Sequence, residues 1–355
     1  MNHRLSGVGS KRNDEKRALI MGFLLGFGLC SFLFSWVLFI SRGNTDSEGV
    51  VVTLKFAHVL PTNHPVHQGI EFFADRLSTL SDGQMETVIY PSGQLGDETK
   101  CIENIQIGTL DLTKTSTSTM GNFLSLMKVF SLPYLFREEA HYWRVLEGSI
   151  GQEMLEAIAE RDDGTQTGFI GLGYFDSGSR SFYADVPILK PDDFRGKKFR
   201  IMRDPVTMDT VDALGGSPTP IPWGELYTAL KQGVVDGAEN NPPSIVSARH
   251  SEISKYYMLT HHSRIPDIVI VSQKTWDRLS SQQKQWLKQA MADATQYQRG
   301  IWAESSQHAM DQMRAEGVTI HEVELKPFVT AVQPVIEKYA VGQLREWYDR
   351  IQEQP

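Results

Sequence analysis

The sequence is nearly without cysteine. Its 355 residues hold two, and one of these, Cys30, lies inside an apolar run near the N-terminus. Cys101 therefore has no partner in the rest of the chain, which excludes a disulfide-stapled scaffold and leaves stability to the hydrophobic core. Recognisable catalytic signatures are missing as well. There is no G-x-S-x-G elbow, no H-E-x-x-H pair and no G-x-x-x-x-G-K-[ST] phosphate loop. Gly168, Gly171 and Gly173 fall within one strand-like run and miss the dinucleotide spacing. No residue stands out as a nucleophile or general base, and the motifs call for neither a cofactor nor a metal. Positive charge is scarce beyond the N-terminus. Residues 1–43 carry six Lys or Arg against two Asp or Glu, so a chain of net charge −8 leaves −12 for the remainder. A body this acidic repels phosphate backbones, which argues against nucleic acid as a partner. Internal repeats and low-complexity tracts are absent too.

What is present begins with a membrane signal. Residues 18–40, ALIMGFLLGFGLCSFLFSWVLFI, contain no charge. The run reaches the ~20 residues of a spanning helix and exceeds the usual signal-peptide core. Arg4, Lys11, Arg12, Lys16 and Arg17 precede it and only Arg42 follows, which sets the N-terminus in the cytoplasm and the body outside. No small-x-small cleavage site follows the run, so the segment reads as an uncleaved anchor or a poorly marked signal peptide.

Beyond a short spacer, residues 50–59 alternate like a half-buried strand, and 66–80 form an amphipathic helix with Ile70, Phe73, Ala74 and Leu77 on one face. METVIY (85–90) is a second strand, Asp97 caps a helix ending at Gly108, and LDLTKTST (110–117) is a third strand. This β-α-β-α-β order implies parallel strands and crossover helices. A second cycle follows a helical stretch at 138–161, with strands at 169–175, 180–186, 197–202 and 234–240 and the apolar strand DIVIVS (267–272). Residues 280–316 carry the longest helical signal. Ser280 and Gln283 make a capping box, Gly317 closes the helix, and ~1.5 Å per residue gives roughly 55 Å, enough to cross two lobes. Residues 328–351 read as further helix, with Trp347 and Tyr348 inward.

Two arginines occupy surroundings that imply burial. Arg180 precedes Ser181-Phe182-Tyr183, and Arg200 lies between Phe199 and Ile201. An unpaired buried charge costs several kcal/mol, so each needs a partner. That partner is either internal, with Asp209 and Glu225 as candidates, or an incoming carboxylate gripped by the guanidinium fork. Composition leaves the two open. Glu239, Asn240 and Asn241 stand at the C-terminal end of a strand, where α/β sheets bind ligands, and amides suit hydroxyl-rich molecules; on these residues alone a simple Asn-Pro turn is the favoured explanation. His58, His64 and His67 lie close together but lack a carboxylate or cysteine at ligand spacing, so a hydrogen-bonding histidine at a strand end is favoured over a metal site. His261 and His262 point apart if extended.

Five motifs then follow in order: YPSGQLGDE (90–98), LPYLF (132–136), DDFRGKKFRIM (192–202), GGSPTPIPWGELYTALKQGVVDGAENNP (215–242) and the long helix. Together they resemble the solute-binding proteins of tripartite ATP-independent periplasmic (TRAP) transporters, of the DctP type. The likeness runs from residue 54 to the C-terminus. It implies an α/β fold of two lobes with crossing hinge strands and a long helix spanning both. Residues 1–49 would form the tail, anchor and spacer, 50–177 plus 266–305 one lobe, and 178–265 plus 306–355 the other. By that resemblance Arg200 would hold the ligand carboxylate, Arg180 a second carboxylate or hydroxyl contact, and Trp223 a pocket wall. Asn240 matches a family asparagine, beside Glu239 and an additional Asn241, and His58 and Asp97 would face the cleft. Ser116 stands where sialic-acid-binding members carry glutamate, which argues against that ligand. The A-E-N-N-P-P variant resembles the members associated with sugar acids such as hexuronates. The implied role is capture of a small organic acid in the periplasm for TRAP membrane permease subunits, without chemistry on it. The alternatives are a C4-dicarboxylate binder, an anchored sensing domain for a signalling partner, and an extracytoplasmic enzyme.

Overall fold

Strand β1 (Val52–Ala57) starts the body and buries Leu54 and Phe56 while Thr53 and Lys55 stay outside. The structure, a computed structural model, describes residues 51–161 and 164–355; the anchor expected at 18–40 lies outside the described residues. No helix among the described residues is long and apolar enough to cross a membrane.

Strands β1, β2 (Met85–Tyr90), β3 (Leu112–Ser116), β4 (Phe169–Phe175) and a later strand of residues 267–272 make the first, five-stranded sheet. The second holds β5 (Arg180–Ala184), β6 (Lys198–Ile201), β7 (Ser217–Pro220), β8 (Gly237–Asn240), β9 (Tyr256–Ser263) and, last in sequence, β11 (Thr319–Glu322); the strand returned to the first sheet is β10 (Asp267–Ser272). The first sheet runs β2-β1-β3-β10-β4 and the second β11-β9-β5-β8-β6-β7. As the β-α-β order requires, β1 pairs in parallel with β2 and β3. β10 instead runs antiparallel between β3 and β4. Its Ile268 and Ile270 pack into one apolar cluster and Val269 and Val271 into another, so both faces of this strand are covered and no polar alternation appears. In the second sheet Phe182 and Ala184 face one core and Tyr183 the other.

Three strands were not legible beforehand. β7 contains Pro218 and Pro220, which only an edge strand tolerates, and the edge is where it lies. β9 has no Gly or Pro directly beside it, and β11, although it follows Gly317, is only four residues long with a single apolar side chain, Ile320. Elsewhere the expected helix at 138–161 divides at Gly148 into Glu139–Glu147 and Ser149–Ala157, and that at 328–351 divides into Leu325–Tyr339 and Gln343–Glu353. The last helix returns to first-lobe residues, with Ile351 buried there and His141 Nε2 bonded to the Ile351 carbonyl at 2.9 Å.

The chain crosses between the sheets at residues 176–179 and 264–266. These segments touch through Ser177 Oγ and the Ile265 carbonyl and through Arg264 Nη1 and Asp176 Oδ1 at 3.6 Å. Over them lies the helix Ser281–Ala315, capped by the Ser280–Gln283 box. It gives Leu287, Met291 and Trp302 to the first-lobe core and Met313 to the second, so it spans both lobes. Gln298, fully buried on this helix, accepts from the Asp176 N–H at 2.8 Å and donates to the Asp176 carbonyl at 2.9 Å. It satisfies backbone groups that leave the β4 ladder at the crossing. Replacing Gln298 with Leu strands both, each worth ~1–3 kcal/mol. The Gln298→Leu chain should lose about 2–4 kcal/mol of unfolding free energy in a urea titration; a loss below ~1 kcal/mol would mean that water takes over the clasp.

Candidate ligand-binding cleft

A cavity of about 270 Å³ lies between the lobes. Its second-lobe wall is built from the ends of strands: Arg180 opens β5, Arg200 stands in β6, and Asn240 closes β8. Asn241 follows as the N-cap of the helix Pro242–Ser247, and Trp223 begins a short helical turn. The first-lobe wall presents Asp97 and Glu98 at the start of the helix Glu98–Ile107, with Lys114 and Ser116 from β3. Seven of the nine residues singled out in the sequence thus meet around one cavity. The other two, His58 and Glu239, stand behind the wall.

Glu239 answers the question of Arg180. Its carboxylate accepts from Arg180 Nε at 2.6 Å and from Nη2 at 2.8 Å, and its carbonyl accepts from Nη2 at 3.1 Å. The internal partner is therefore Glu239, not Asp209 or Glu225. The register makes this a diagonal pair, since Ser181 opposes Asn240 and Phe182 opposes Glu239. Burial alone would raise the Glu239 carboxyl, but Arg180 and His262 hold it down at about 2.

Arg200 differs. It is 3 % exposed, its Nε donates to the Ile221 carbonyl at 2.8 Å, and among the described residues no carboxylate forms an ion pair with it. Burial lowers its pKa. The guanidinium lies 5.8 Å from the Trp223 ring centroid, and Trp223 in turn meets His250 edge-on. Tyr183 donates to His250 Nδ1 at 2.8 Å, and burial with Arg200 nearby holds that imidazole at about 3.

Sequence reasoning overlooked a further cation. Lys114 is buried in β3, with Nζ 3.0 Å from Asp267 and 3.3 Å from Glu98. Burial opposes its charge, but the two carboxylates outweigh it and raise its pKa. Its neighbours Thr113 and Thr115 are polar residues, so the apolar flanks that marked Arg200 are missing at this position. His64 was noted only within the histidine cluster. Its Nδ1 accepts from the Val66 N–H, which leaves Nε2–H to donate to Ser244 Oγ across the cleft at 3.1 Å. His58 belongs to a chain of bonds: Leu60 N–H to Nδ1, Nε2–H to His67 Nδ1, and His67 Nε2–H to Glu71. Burial and Lys114 hold His58 at about 3, and no group of ligands able to hold a metal occurs among the described residues. His261 is exposed while His262 is buried against Phe182.

Asn241 spends both ends of its amide, donating to the Ser177 carbonyl at 2.7 Å and accepting from Ser244 N–H at 2.9 Å. Asn240 uses only its oxygen, which accepts from Asn241 N–H. Asp97 and Ser116 cap helix starts at Lys100 and Ser118 while still facing the cavity.

Residues 56–342 match the bacterial extracellular solute-binding proteins of family 7, the DctP family. The chain belongs to this family. A solute-binding protein of Chromohalobacter salexigens is 34 % identical over 284 residues, covering 79 % of this chain and 83 % of its own. A TRAP periplasmic solute-binding protein of Pseudomonas putida F1, solved with bound D-glucuronate, superposes with a TM-score of 0.82 at 33 % identity, covering 85 % of this chain and 97 % of its own. One from a Bradyrhizobium species, in complex with α/β-D-galacturonate, reaches 0.81 at 36 % identity, covering 85 % and 99 %. The fold is accordingly that of a two-lobe DctP-type protein, with the long helix spanning both lobes. Such proteins are periplasmic, bind small acids and work with a TRAP permease; the family serves transport.

The titrating groups of this DctP-type protein fix a pH dependence. His58, His64 and His250 all have folded pKa values below the ordinary 6.5. The unfolded chain therefore takes up protons first, and their stabilisation, full above about 6.5, falls as the pH drops toward about 3. Glu239 acts lower, its contribution being present above the usual 4.5 and lost toward about 2. Each histidine contributes up to ~1.4 kcal/mol per pH unit. Urea titrations should show unfolding free energy falling by at least ~1 kcal/mol between about pH 6 and 5; a flat profile would show that these histidines charge without unfolding.

Proposed function

We propose that this chain captures a sugar acid, a hexuronate being favoured, for a TRAP permease and performs no chemistry on it. The observation that carries this reading is Arg200: a buried guanidinium on the cavity wall with no carboxylate in ion-pair contact among the described residues. A ligand carboxylate supplies the missing partner, and burial strengthens the attraction. Arg180 gives a second contact through Nη1, which takes no part in the bonds to Glu239. Asn240 contributes its free Nδ2, and Trp223 covers the ligand's apolar face. Asp97 and Ser116 add acceptors and a hydroxyl for a polyol. His58, Glu239 and Asn241 act through other residues, by holding the wall, Arg180 and the His64–Ser244 contact.

Similarity to proteins solved with D-glucuronate and D-galacturonate supports the ligand class. The absence of chemistry is supported by the imidazoles at the site: His58, His64 and His250 are kept neutral and committed to internal bonds. The lobes divide as 50–177 plus 266–305 and 178–265 plus 306–355, with the final helix resting on the first. Residues 18–40 tether this body to the outer face of the cytoplasmic membrane.

A micromolar binder needs about −8 kcal/mol, and charge-assisted hydrogen bonds of ~1.5–3 kcal/mol each from Arg200, Arg180 and Asn240 supply it after ordering costs. A thermal-shift screen of uronates, aldonates and dicarboxylates should therefore give a hit. Ligand at 100 times its Kd adds ~2.7 kcal/mol of stability. Arg200→Ala should weaken that hit by ~100-fold or more while leaving the unliganded melting temperature unchanged or higher, because no carboxylate is orphaned. Affinity within a few-fold of wild type would remove Arg200 as the anchor, and turnover of the bound acid would replace transport with catalysis.

A further inference from the structure

The charges around the cavity balance unevenly between its walls. On the second-lobe side Arg180 is neutralised by Glu239, while Arg200 has no ion-pair partner among the described residues and feels Glu239 only at longer range. On the first-lobe side the buried cation, Lys114, is held by Glu98 and Asp267 together. Burial pushes the Asp267 carboxyl up. Lys114 brings one positive charge against these two carboxylates, which leaves the three groups together with one net negative charge. Arg203 also reaches the lining, but it is exposed and solvent screens it. The cavity therefore offers, among the described residues, one buried cation without an ion-pair partner, and a first-lobe wall of Asp97, Glu98, Lys114, Ser116, Thr119 and Asp267 whose single cation is already held by two carboxylates.

Glu98 is the fixed point of that wall. One oxygen accepts from Lys114 Nζ and from the Ser116 N–H, both at 3.3 Å, and the other accepts from Thr119 Oγ1 at 2.8 Å. Three donors hold the carboxylate in place, so it cannot swing aside for an anion. A hydroxyl can still donate to it, since a carboxylate has about four acceptor positions.

We propose that the cleft takes one carboxylate and rejects a second, and that Glu98 is the residue that enforces this choice. The inference rests on the sugar-acid reading and sharpens it: the ligand is a polyhydroxy monocarboxylate whose far end carries hydroxyls. A polyol dicarboxylate of the same length brings its second anion against Glu98 in a low-dielectric cleft. Two like charges ~5 Å apart at an effective dielectric constant of ~20 weaken binding by ~100-fold or more.

Calorimetry on the full chain tests this with matched acyclic pairs, D-gluconate against D-glucarate and L-threonate against L-tartrate, alongside D-glucuronate. Each pair differs by a terminal hydroxymethyl or carboxylate alone. In the wild type the dicarboxylate should bind ~100-fold more weakly than its partner, or not at all. Glu98→Gln keeps the shape of the side chain and removes its charge, so it should strengthen dicarboxylate binding by ~10-fold or more while changing D-glucuronate affinity less. Dicarboxylates that match or exceed their partners in the wild type overturn the exclusion. So does D-glucuronate binding with no difference within either pair, in wild type and variant alike. An exclusion that Glu98→Gln leaves intact overturns the assignment to Glu98. If no sugar acid binds at all, the sugar-acid reading itself falls, and the inference with it.

Discussion

A guanidinium taken out of water must be met by an anion, and that requirement organises the cleft of this protein. Three cations are buried at its walls: Arg180, Arg200 and Lys114. Arg180 and Lys114 are met by Glu239, Glu98 and Asp267, all from the same chain. The first pair follows directly from sheet geometry. β5 and β8 run antiparallel, Glu239 sits opposite Phe182, and Arg180 lies two residues from Phe182 on the same face. The pair also fixes the direction of the Arg180 side chain, because two of its nitrogens are committed to one carboxylate. Arg200, one strand further along in β6, meets only a backbone carbonyl. The fold thus bears the cost of one charge that the closed cleft alone does not balance.

On the proposed reading that cost ties binding to lobe closure. His64 and Ser244 meet across the cleft on one side, and Ser118 and Asp204, 2.8 Å apart, on the other. Neither contact is an ion pair, and hydrogen bonds of this kind contribute ~1 kcal/mol each. Such contacts can register the two lobes but cannot hold them shut against the burial of Arg200. An anion between the lobes reverses the balance by turning the most unfavourable group in the closed state into a favourable one. The segments at 176–179 and 264–266 are narrow enough to bend, while the Gln298 clasp and the long helix keep the crossing in register.

Much of this was legible beforehand. The runs METVIY, FIGLGYF and DIVIVS gave their strands to the residue, because apolar runs bounded by turn residues leave little freedom. The Asp97 cap, the left-handed Gly108 and the Ser280–Gln283 box were also readable, each being a local device. What escaped was non-local. Arg180 and Glu239 are 59 residues apart, and only the β5–β8 register brings them together. β9 lies next to the edge of the second sheet, between β11 and β5, and YYMLTHHS has no Gly or Pro directly beside it. His58 was expected to face the cleft by the family resemblance. Its ring instead turned inward to a hydrogen-bonded chain that the sequence could not order.

The three cations show where the boundary between sequence and structure falls. Arg180 and Arg200 were marked in the sequence by a long basic side chain among residues that belong in a core; Lys114, between Thr113 and Thr115, was not. That feature establishes only that a counter-ion is needed. Lys114 and Arg180 find theirs within the chain, from residues up to 153 positions away in the case of Asp267. Arg200 does not. A buried cation becomes evidence of a ligand only after the strand order has shown which carboxylates can reach it, and this second step needs the structure. Once it is taken, the balanced cations also gain a meaning. By neutralising Arg180 and Lys114 internally, the chain keeps the cavity from becoming a general sink for anions and leaves one position where charge decides what enters. On the proposed reading the wall opposite serves hydroxyls rather than a second charge, and a site of only about 270 Å³ would distinguish by electrostatics what shape alone would admit.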